Sequence, residues 1–215
     1  MVAIIFDLDG TLVHSTPDIQ AAVNRMLAGE GAEPLDIVTV TGFVGNGLPR
    51  LVERVMDHRG LPEADRARLT RVAHDFYSAA PADLTRPYPG VVAALRALAA
   101  AGYPLGVCTN KPEAAARTVL EALGLLGFFA SVVGGDRLAT TKPDPAMLHL
   151  SIAELGGGVA IFVGDSEVDA ATAEAAGTPF ALYTEGYRKT PVAELFHDAT
   201  FASFADLPGV VARLT

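Results

Sequence analysis

The chain has 215 residues and a formal charge of -9 at pH 7, a balance that disfavours nucleic acid and anionic membrane surfaces as partners. Half of it (50%) is hydrophobic, enough to bury a sizeable core in one domain with an insertion or in two small domains. Cys108 is the only cysteine, which excludes an internal disulfide and points to a reducing compartment; with no leader and no apolar stretch of membrane-helix length, a cytoplasmic protein is expected.

The first element is the apolar run Val2-Ala3-Ile4-Ile5-Phe6, which empties into Asp7-Leu8-Asp9-Gly10-Thr11. Its β-branched and aromatic content predicts a strand buried on both faces, and such strands carry their C-terminal ends to the edge where open α/β folds hold ligands. Extended, Asp7 and Asp9 would lie roughly 7 Å apart, and Gly10 lets the chain turn so that both face one small site. That placement suits a metal-assisted nucleophile with an acid/base partner. The alternative is an acidic strand end followed by a plain turn.

From Ser15 to about Arg86 no comparable apolar strand occurs. Ile19, Ala22, Val23, Met26 and Leu27 follow helical spacing, as do Leu48, Leu51, Val52, Val55 and Met56, and again Leu69, Val72, Ala73, Phe76 and Tyr77. A helical bundle spanning residues 15–86 is therefore expected, inserted after the first strand, seated over the strand ends and re-entering through Arg86-Pro87-Tyr88-Pro89-Gly90. Strand-like runs near 104–108, 131–133, 159–163 and 179–183 then alternate with helical stretches near 91–101, 112–123, 145–155 and 169–176. A short strand near 199–201 and a helix near 206–214 follow. Such alternation predicts an α/β domain, residues 1–14 and 87–215, with a parallel sheet and helices on both faces.

Three later segments bear on chemistry. In Thr109-Asn110-Lys111-Pro112, Pro112 at a first helical position would leave hydroxyl and amide donors at a helix N-terminus, where phosphate is favoured; simple capping by Thr109 or Asn110 is the alternative. In Lys142-Pro143-Asp144-Pro145, a lysine fixed before a helix could set a positive charge against a phosphoryl oxygen and the nucleophilic carboxylate, or be a solvated loop lysine with Asp144 as cap. Gly164-Asp165-Ser166-Glu167-Val168-Asp169 ends another apolar strand and puts Asp165 and Asp169 one helical turn apart. Hard oxygens from two strand ends are what Mg²⁺ requires. A capping box of Ser166 and Asp169 explains those two residues but not Asp165.

Taken in order, these segments resemble the four motifs of the haloacid dehalogenase superfamily of phosphohydrolases, over nearly the whole chain: Asp7 to Thr11 the first, Thr109-Asn110 the second, Lys142 the third, and Gly164-Asp165-Ser166 with Asp169 the fourth. The resemblance implies a Rossmann-like core with residues 15–86 as a small helical cap. It implies Asp7 as the nucleophile that becomes an aspartyl-phosphate and Asp9 as general acid and base. Mg²⁺ would be held by Asp7, the main-chain carbonyl of Asp9 and Asp165, with Asp169 in support, while Thr109, Asn110 and Lys142 would bind the phosphoryl group. An aspartate at position 9 separates the chain from the superfamily's dehalogenases, whose halide leaving group needs no proton.

Within the superfamily the chain is most similar to bacterial phosphoglycolate phosphatases. Val44-Gly45-Asn46-Gly47 in the cap, Val133-Gly134-Gly135-Asp136 and Glu185-Gly186-Tyr187 support this. Gly45, Asn46 and Gly47 are then expected to close over the substrate. His14 departs from the usual aspartate there and reads as a hinge residue. Phosphatases of nucleotides, sugar phosphates or pyrophosphate share most of these stretches, and a sugar-phosphate mutase shares the fold. A receiver-like phospho-switch also ends a strand in a phosphorylated aspartate, but has no need of Asp9, the 164–169 motif or the insertion. A small phosphorylated metabolite is thus the expected partner.

Overall fold

The computed structural model describes residues 2–215. In chain order the elements are β1 (Ala3–Phe6), β2 (Val13–His14), α1 (Thr16–Gly29), α2 (Ile37–Thr41), α3 (Gly47–Arg59), α4 (Arg66–Ala79), β3 (Arg86–Pro87), α5 (Val91–Ala100), β4 (Leu105–Cys108), α6 (Glu113–Ala122), β5 (Ser131–Val133), α7 (Ala146–Glu154), β6 (Ala160–Gly164), α8 (Glu167–Ala176), β7 (Phe180–Tyr183), β8 (Ala199–Phe201) and α9 (Leu207–Leu214). Six strands form one parallel sheet in the order β5-β4-β1-β6-β7-β8. The chain steps outward from β1 through β4 to β5 and then returns to β1's other side at β6. The C-terminal ends of β1, β4 and β6 therefore flank the point where strand order reverses, the usual ligand crevice of such sheets.

The apolar run of β1 is buried because both faces of the sheet are covered. Ile4 and Phe6 join Leu95, Val119 and Val211 on the face packed by α5, α6 and α9. Ala3 and Ile5 join Met147, Phe162 and Ala173 on the face packed by α7 and α8. The period of two survives in a run that shows no polar alternation.

The four helices α1 to α4 form their own apolar cluster, in which Ile19, Val23, Met26, Leu51, Val55, Leu69 and Tyr77 are buried. These are the positions that the helical spacing marked. Two features went beyond the sequence reading. The insertion is bracketed by an antiparallel ribbon, Val13 opposite Pro87 and His14 opposite Arg86. Two-residue strands carry too little pattern to be read. Asp18, also buried, accepts hydrogen bonds from the main-chain N–H groups of Leu84 and Thr85 and from the Thr85 hydroxyl, fastening the exit of the insertion to the start of α1. Among the described residues, no helix is long and apolar enough to cross a membrane.

Candidate active site

Asp7 follows β1 directly, its N–H still donating to the Val163 carbonyl at 2.9 Å, so the sheet itself fixes the carboxylate's origin. The chain then folds back, with Gly10 N–H on the Val13 carbonyl at 2.9 Å and Leu12 N–H on the Leu8 carbonyl at 3.0 Å. Gly10 is required twice over: its φ is +95°, and a Cβ there would lie 2.4 Å from Asp165 Oδ2. Across the crevice Asp165 is held from two sides, by the Thr11 hydroxyl on Oδ1 and the Tyr187 N–H on Oδ2, both at 2.6 Å.

The capping box expected at residues 164–169 is present. Ser166 Oγ accepts from Asp169 N–H at 3.3 Å, and Asp169 Oδ2 accepts from Ser166 N–H at 3.1 Å, a complete capping box at the start of α8. Asp169 Oδ1 is thereby turned into the site, where Lys142 Nζ lies 2.6 Å away. The same ammonium is 2.9 Å from Asp7 Oδ1 with 1% of its side chain exposed, so Lys142 is a buried site lysine and not a solvated one. Helix α7 is capped by Pro145 rather than by Asp144, whose carboxylate instead accepts from Ala146 N–H.

Asp7, Asp165 and Asp169 each offer an oxygen within 4.8 Å of the others. Burial drives the pKa of Asp7 up to about 7 against the pull of Lys142, and burial with the neighbouring Asp169 and Asp7 charges drives Asp165 well above the usual carboxylate range. Burial alone would lower the pKa of Lys142, yet Asp169 and Asp7 hold it above the ordinary lysine value. Fully ionised, the four carboxylates (Asp7, Asp9, Asp165, Asp169) would face two ammonium groups (Lys111, Lys142) with an excess of two negative charges, and it is this excess that burial resists in the metal-free site. Hard oxygens with that excess charge fit one divalent cation of the Mg²⁺ type.

Asp9 lies apart from this trio. Its two carboxylate oxygens are 3.2 and 3.1 Å from Lys111 Nζ, which sits 4.5 Å from the centroid of the Tyr77 ring of α4. Burial opposes the charge on Lys111, but Asp9 keeps its pKa raised. Lys111 is the site residue that sequence reasoning passed over, although it stands inside the quoted Thr109-Asn110-Lys111-Pro112; a lysine in a segment closing a buried strand is its only local signal. Thr109 is buried beside it, its Oγ1 accepting from Lys111 N–H at 3.3 Å.

Asn110 and Pro112 depart from expectation. The Asn110 amide donates to the Lys142 carbonyl at 3.0 Å and to the Gly45 carbonyl at 3.2 Å, and its oxygen accepts from Lys142 N–H at 2.9 Å. Its side chain therefore ties the lysine loop to the insertion, and the amide expected to meet phosphate is already engaged. Pro112 is the N-cap residue of α6 and not its first helical residue, with the exposed helix end met by Asp136 on Glu113 N–H at 2.8 Å. Neither Thr109 nor Asn110 caps this helix.

Gly45 and Gly47 have φ of +127° and +80°, so this turn before α3 needs glycine at both places. Asn46 is the N-cap residue, and its Oδ1 accepts from Arg54 Nη2 at 2.8 Å. The turn borders a cavity of about 270 Å³ between insertion and sheet, whose lining includes Asp7, Asp9, Thr109, Lys111, Leu48 and Tyr77. His14 lies in β2, with Nδ1 3.0 Å from the Tyr187 hydroxyl.

A family model described as haloacid dehalogenase-like hydrolase matches residues 1–177. The chain is 53% identical over 216 residues to the phosphoglycolate phosphatase of Cereibacter sphaeroides (strain ATCC 17029 / ATH 2.4.9), covering 100% of this chain and 99% of that protein. It is 48% identical to the phosphoglycolate phosphatase of Rhodospirillum rubrum, covering 95% and 88%. Among solved structures, one described as a predicted phosphoglycolate phosphatase from Haemophilus somnus 129PT superimposes with a TM-score of 0.92 at 33% identity, covering 97% of each chain. CbbY from Rhodobacter sphaeroides, in complex with phosphate, shares the fold at a TM-score of 0.81 and 24% identity, with 96% of each chain covered. With the family model spanning residues 1–177 and relatives of this identity along the whole chain, the protein belongs to the haloacid dehalogenase-like hydrolases.

Proposed function

We propose that the protein is a Mg²⁺-dependent phosphate monoester hydrolase of the cytoplasm that converts 2-phosphoglycolate to glycolate and phosphate, with residues 15–86 acting as a cap over a core of residues 1–14 and 87–215. The observation that carries this is Asp7, at the mouth of β1, 2.9 Å from Lys142 and grouped with Asp165 and Asp169. The substrate follows from the full-length likeness to the Cereibacter sphaeroides phosphoglycolate phosphatase at 53% identity.

In this reading Asp7, Asp165 and the Asp9 carbonyl, supported by Asp169, would hold Mg²⁺, which when bound would supply the positive charge that polarises the phosphoryl group and keeps Asp7 ionised. The free Asp7 oxygen attacks phosphorus, and the bond from phosphorus to the ester oxygen breaks as Asp9 gives that oxygen its proton. Asp9 then takes a proton from water as the water oxygen attacks the aspartyl-phosphate, releasing phosphate and restoring Asp7. Lys142 spreads the charge of the phosphoryl oxygens, helped by Thr109. Lys111, which contacts both oxygens of Asp9, is placed to turn to the incoming dianion, and the proton that Asp9 gives the leaving oxygen is taken up from solvent in the first turnover and from the attacking water thereafter.

The test is phosphate release from a panel of small phosphate esters and pyrophosphate with Mg²⁺, including 2-phosphoglycolate. The highest kcat/KM is expected on 2-phosphoglycolate, with no turnover in excess chelator or in Asp7→Asn. Nucleotides, sugar phosphates or pyrophosphate clearly ahead would overturn the substrate. Turnover by Asp7→Asn would overturn the covalent route, and an aspartyl-phosphate that persists without turnover would favour a phospho-switch.

A further inference from the structure

The substrate proposed above carries a carboxylate one methylene from the ester oxygen, and no group assigned so far meets it. We infer that Arg54 of α3 and Lys189, which follows β7, form the subsite for that carboxylate; the inference rests on the phosphoglycolate reading and names how the cleft recognises it.

Arg54 donates from Nη1 to the Phe43 carbonyl and from Nη2 to Asn46 Oδ1, both at 2.8 Å. Lys189 Nζ lies 3.4 Å from the Val44 carbonyl. Among the described residues neither is paired with a carboxylate, which leaves both charges available to an anion in the cleft. Two cations without counter-ions both border one cavity of about 210 Å³ whose lining also includes Asp7, Asp9 and Asp165. Burial and the nearby Arg54 charge pull the pKa of Lys189 down, against the opposing pull of Glu167, whose carboxylate is engaged by the N–H groups of Lys189 and Thr190. An anion received between Arg54 and Lys189 removes that repulsion.

The geometry also explains selectivity. A guanidinium has five N–H donors in a rigid fork, and holding Nη1 and Nη2 on neutral acceptors leaves others free while fixing the plane. Arg54 comes from the insertion and Lys189 from the sheet side, and both are bonded to the turn at residues 43–46. A carboxylate bridging them ties the two sides of the cleft together, which makes closure depend on the group that distinguishes this substrate from a plain alkyl phosphate. The side-chain oxygen of Asn46 orients Arg54.

The experiment compares kcat/KM for 2-phosphoglycolate with that for ethyl phosphate, which has the same two carbons and no carboxylate, in the wild type, Arg54→Gln and Lys189→Gln. The expected result is a wild-type preference for 2-phosphoglycolate that shrinks about 10- to 100-fold in each variant, as loss of a hydrogen bond to a charged group implies. Arg54→Lys is expected to recover part of it. Lys189→Gln keeps the test independent of loop folding, since its side chain makes a single long bond. A wild type indifferent to the carboxylate would overturn the substrate reading and the subsite with it. A wild-type preference that survives both variants, or equal losses on both esters, would overturn the subsite alone.

Discussion

Lys142→Met removes an ammonium that stands 2.9 Å from Asp7 and 2.6 Å from Asp169 with 1% of its side chain exposed. Methionine keeps nearly the length and an apolar stem, and the Phe162 ring, whose centroid is 5.3 Å from the ammonium, can receive its methyl end, so the perturbation is mainly one of charge. Fully ionised, the site would go from two excess negative charges to three. Breaking a buried pair by removing one partner costs about 3–5 kcal/mol. For a chain of this length each kcal/mol moves the melting temperature by about 2–4 °C, so metal-free Lys142→Met is expected to melt about 6–20 °C below the wild type. Millimolar Mg²⁺ should recover much of this, because a divalent cation can take over the orphaned carboxylates. Activity should not recover: kcat is expected to stay about 10²–10³-fold down, the effect of losing one preorganised group that stabilises transition-state charge. Thermal melts in chelator and in Mg²⁺, beside phosphate-release kinetics, read both arms. A metal-free melting temperature within about 2 °C of wild type, or a kcat within tenfold, would refute the placement of Lys142 as the charge that joins nucleophile to metal site.

Gly186→Ala would bring a Cβ to 2.3 Å from Asp165 Oδ2, so the Mg²⁺ concentration for half-maximal rate should rise about 10- to 100-fold, the usual effect of disturbing a ligand's support; an unchanged Mg²⁺ titration would contradict the metal role of Asp165. In metal-free protein Asp7 is raised to about 7, so its neutral form favours folding at low pH and that contribution is lost as pH climbs through 7. Urea melts in chelator should lose about 2–3 kcal/mol of stability between about pH 5 and about pH 8, and Mg²⁺ should stabilise most at the upper end; a flat or rising profile with chelator would oppose this. Gly47→Val forces a branched side chain onto a φ of +80°, and steady-state kinetics should show a much larger loss on 2-phosphoglycolate than on an activated aryl phosphate; equal losses would make the glycine a mere turn-former.

The sheet was legible because its signals are local. Apolar runs of strand length alternate with helical spacing, and each strand lies within a residue or so of its run, with Ser131–Val133 and Ala199–Phe201 falling where they were expected. Asp7 and Asp165 could be singled out because each directly follows such a run, whereas Lys142 was marked by the proline-started helix after it and Asp169 by standing one helical turn from Asp165. What stayed hidden are partnerships across the chain. Nothing near position 110 says that its amide will be taken by residues 45 and 142, and nothing near position 111 says that its ammonium will be shared by Asp9 and Tyr77.

Tyr187 is the sharpest instance, and it links site to insertion. Its main-chain N–H holds Asp165 Oδ2 at 2.6 Å, while its hydroxyl accepts from the N–H groups of Ser15 and Thr16 at 2.9 and 3.1 Å, where the chain leaves the core for α1. One residue therefore fixes a candidate metal ligand with its backbone and the start of the insertion with its side chain. Tyr187→Phe keeps the first contact and deletes the second, leaving two buried N–H donors without their acceptor. The insertion should be set loose without loss of the metal site: an unchanged Mg²⁺ requirement, faster proteolysis near residues 14–16, and a raised KM for 2-phosphoglycolate. A shifted Mg²⁺ requirement with unchanged proteolysis would show that the hydroxyl serves the metal site and not the start of the insertion.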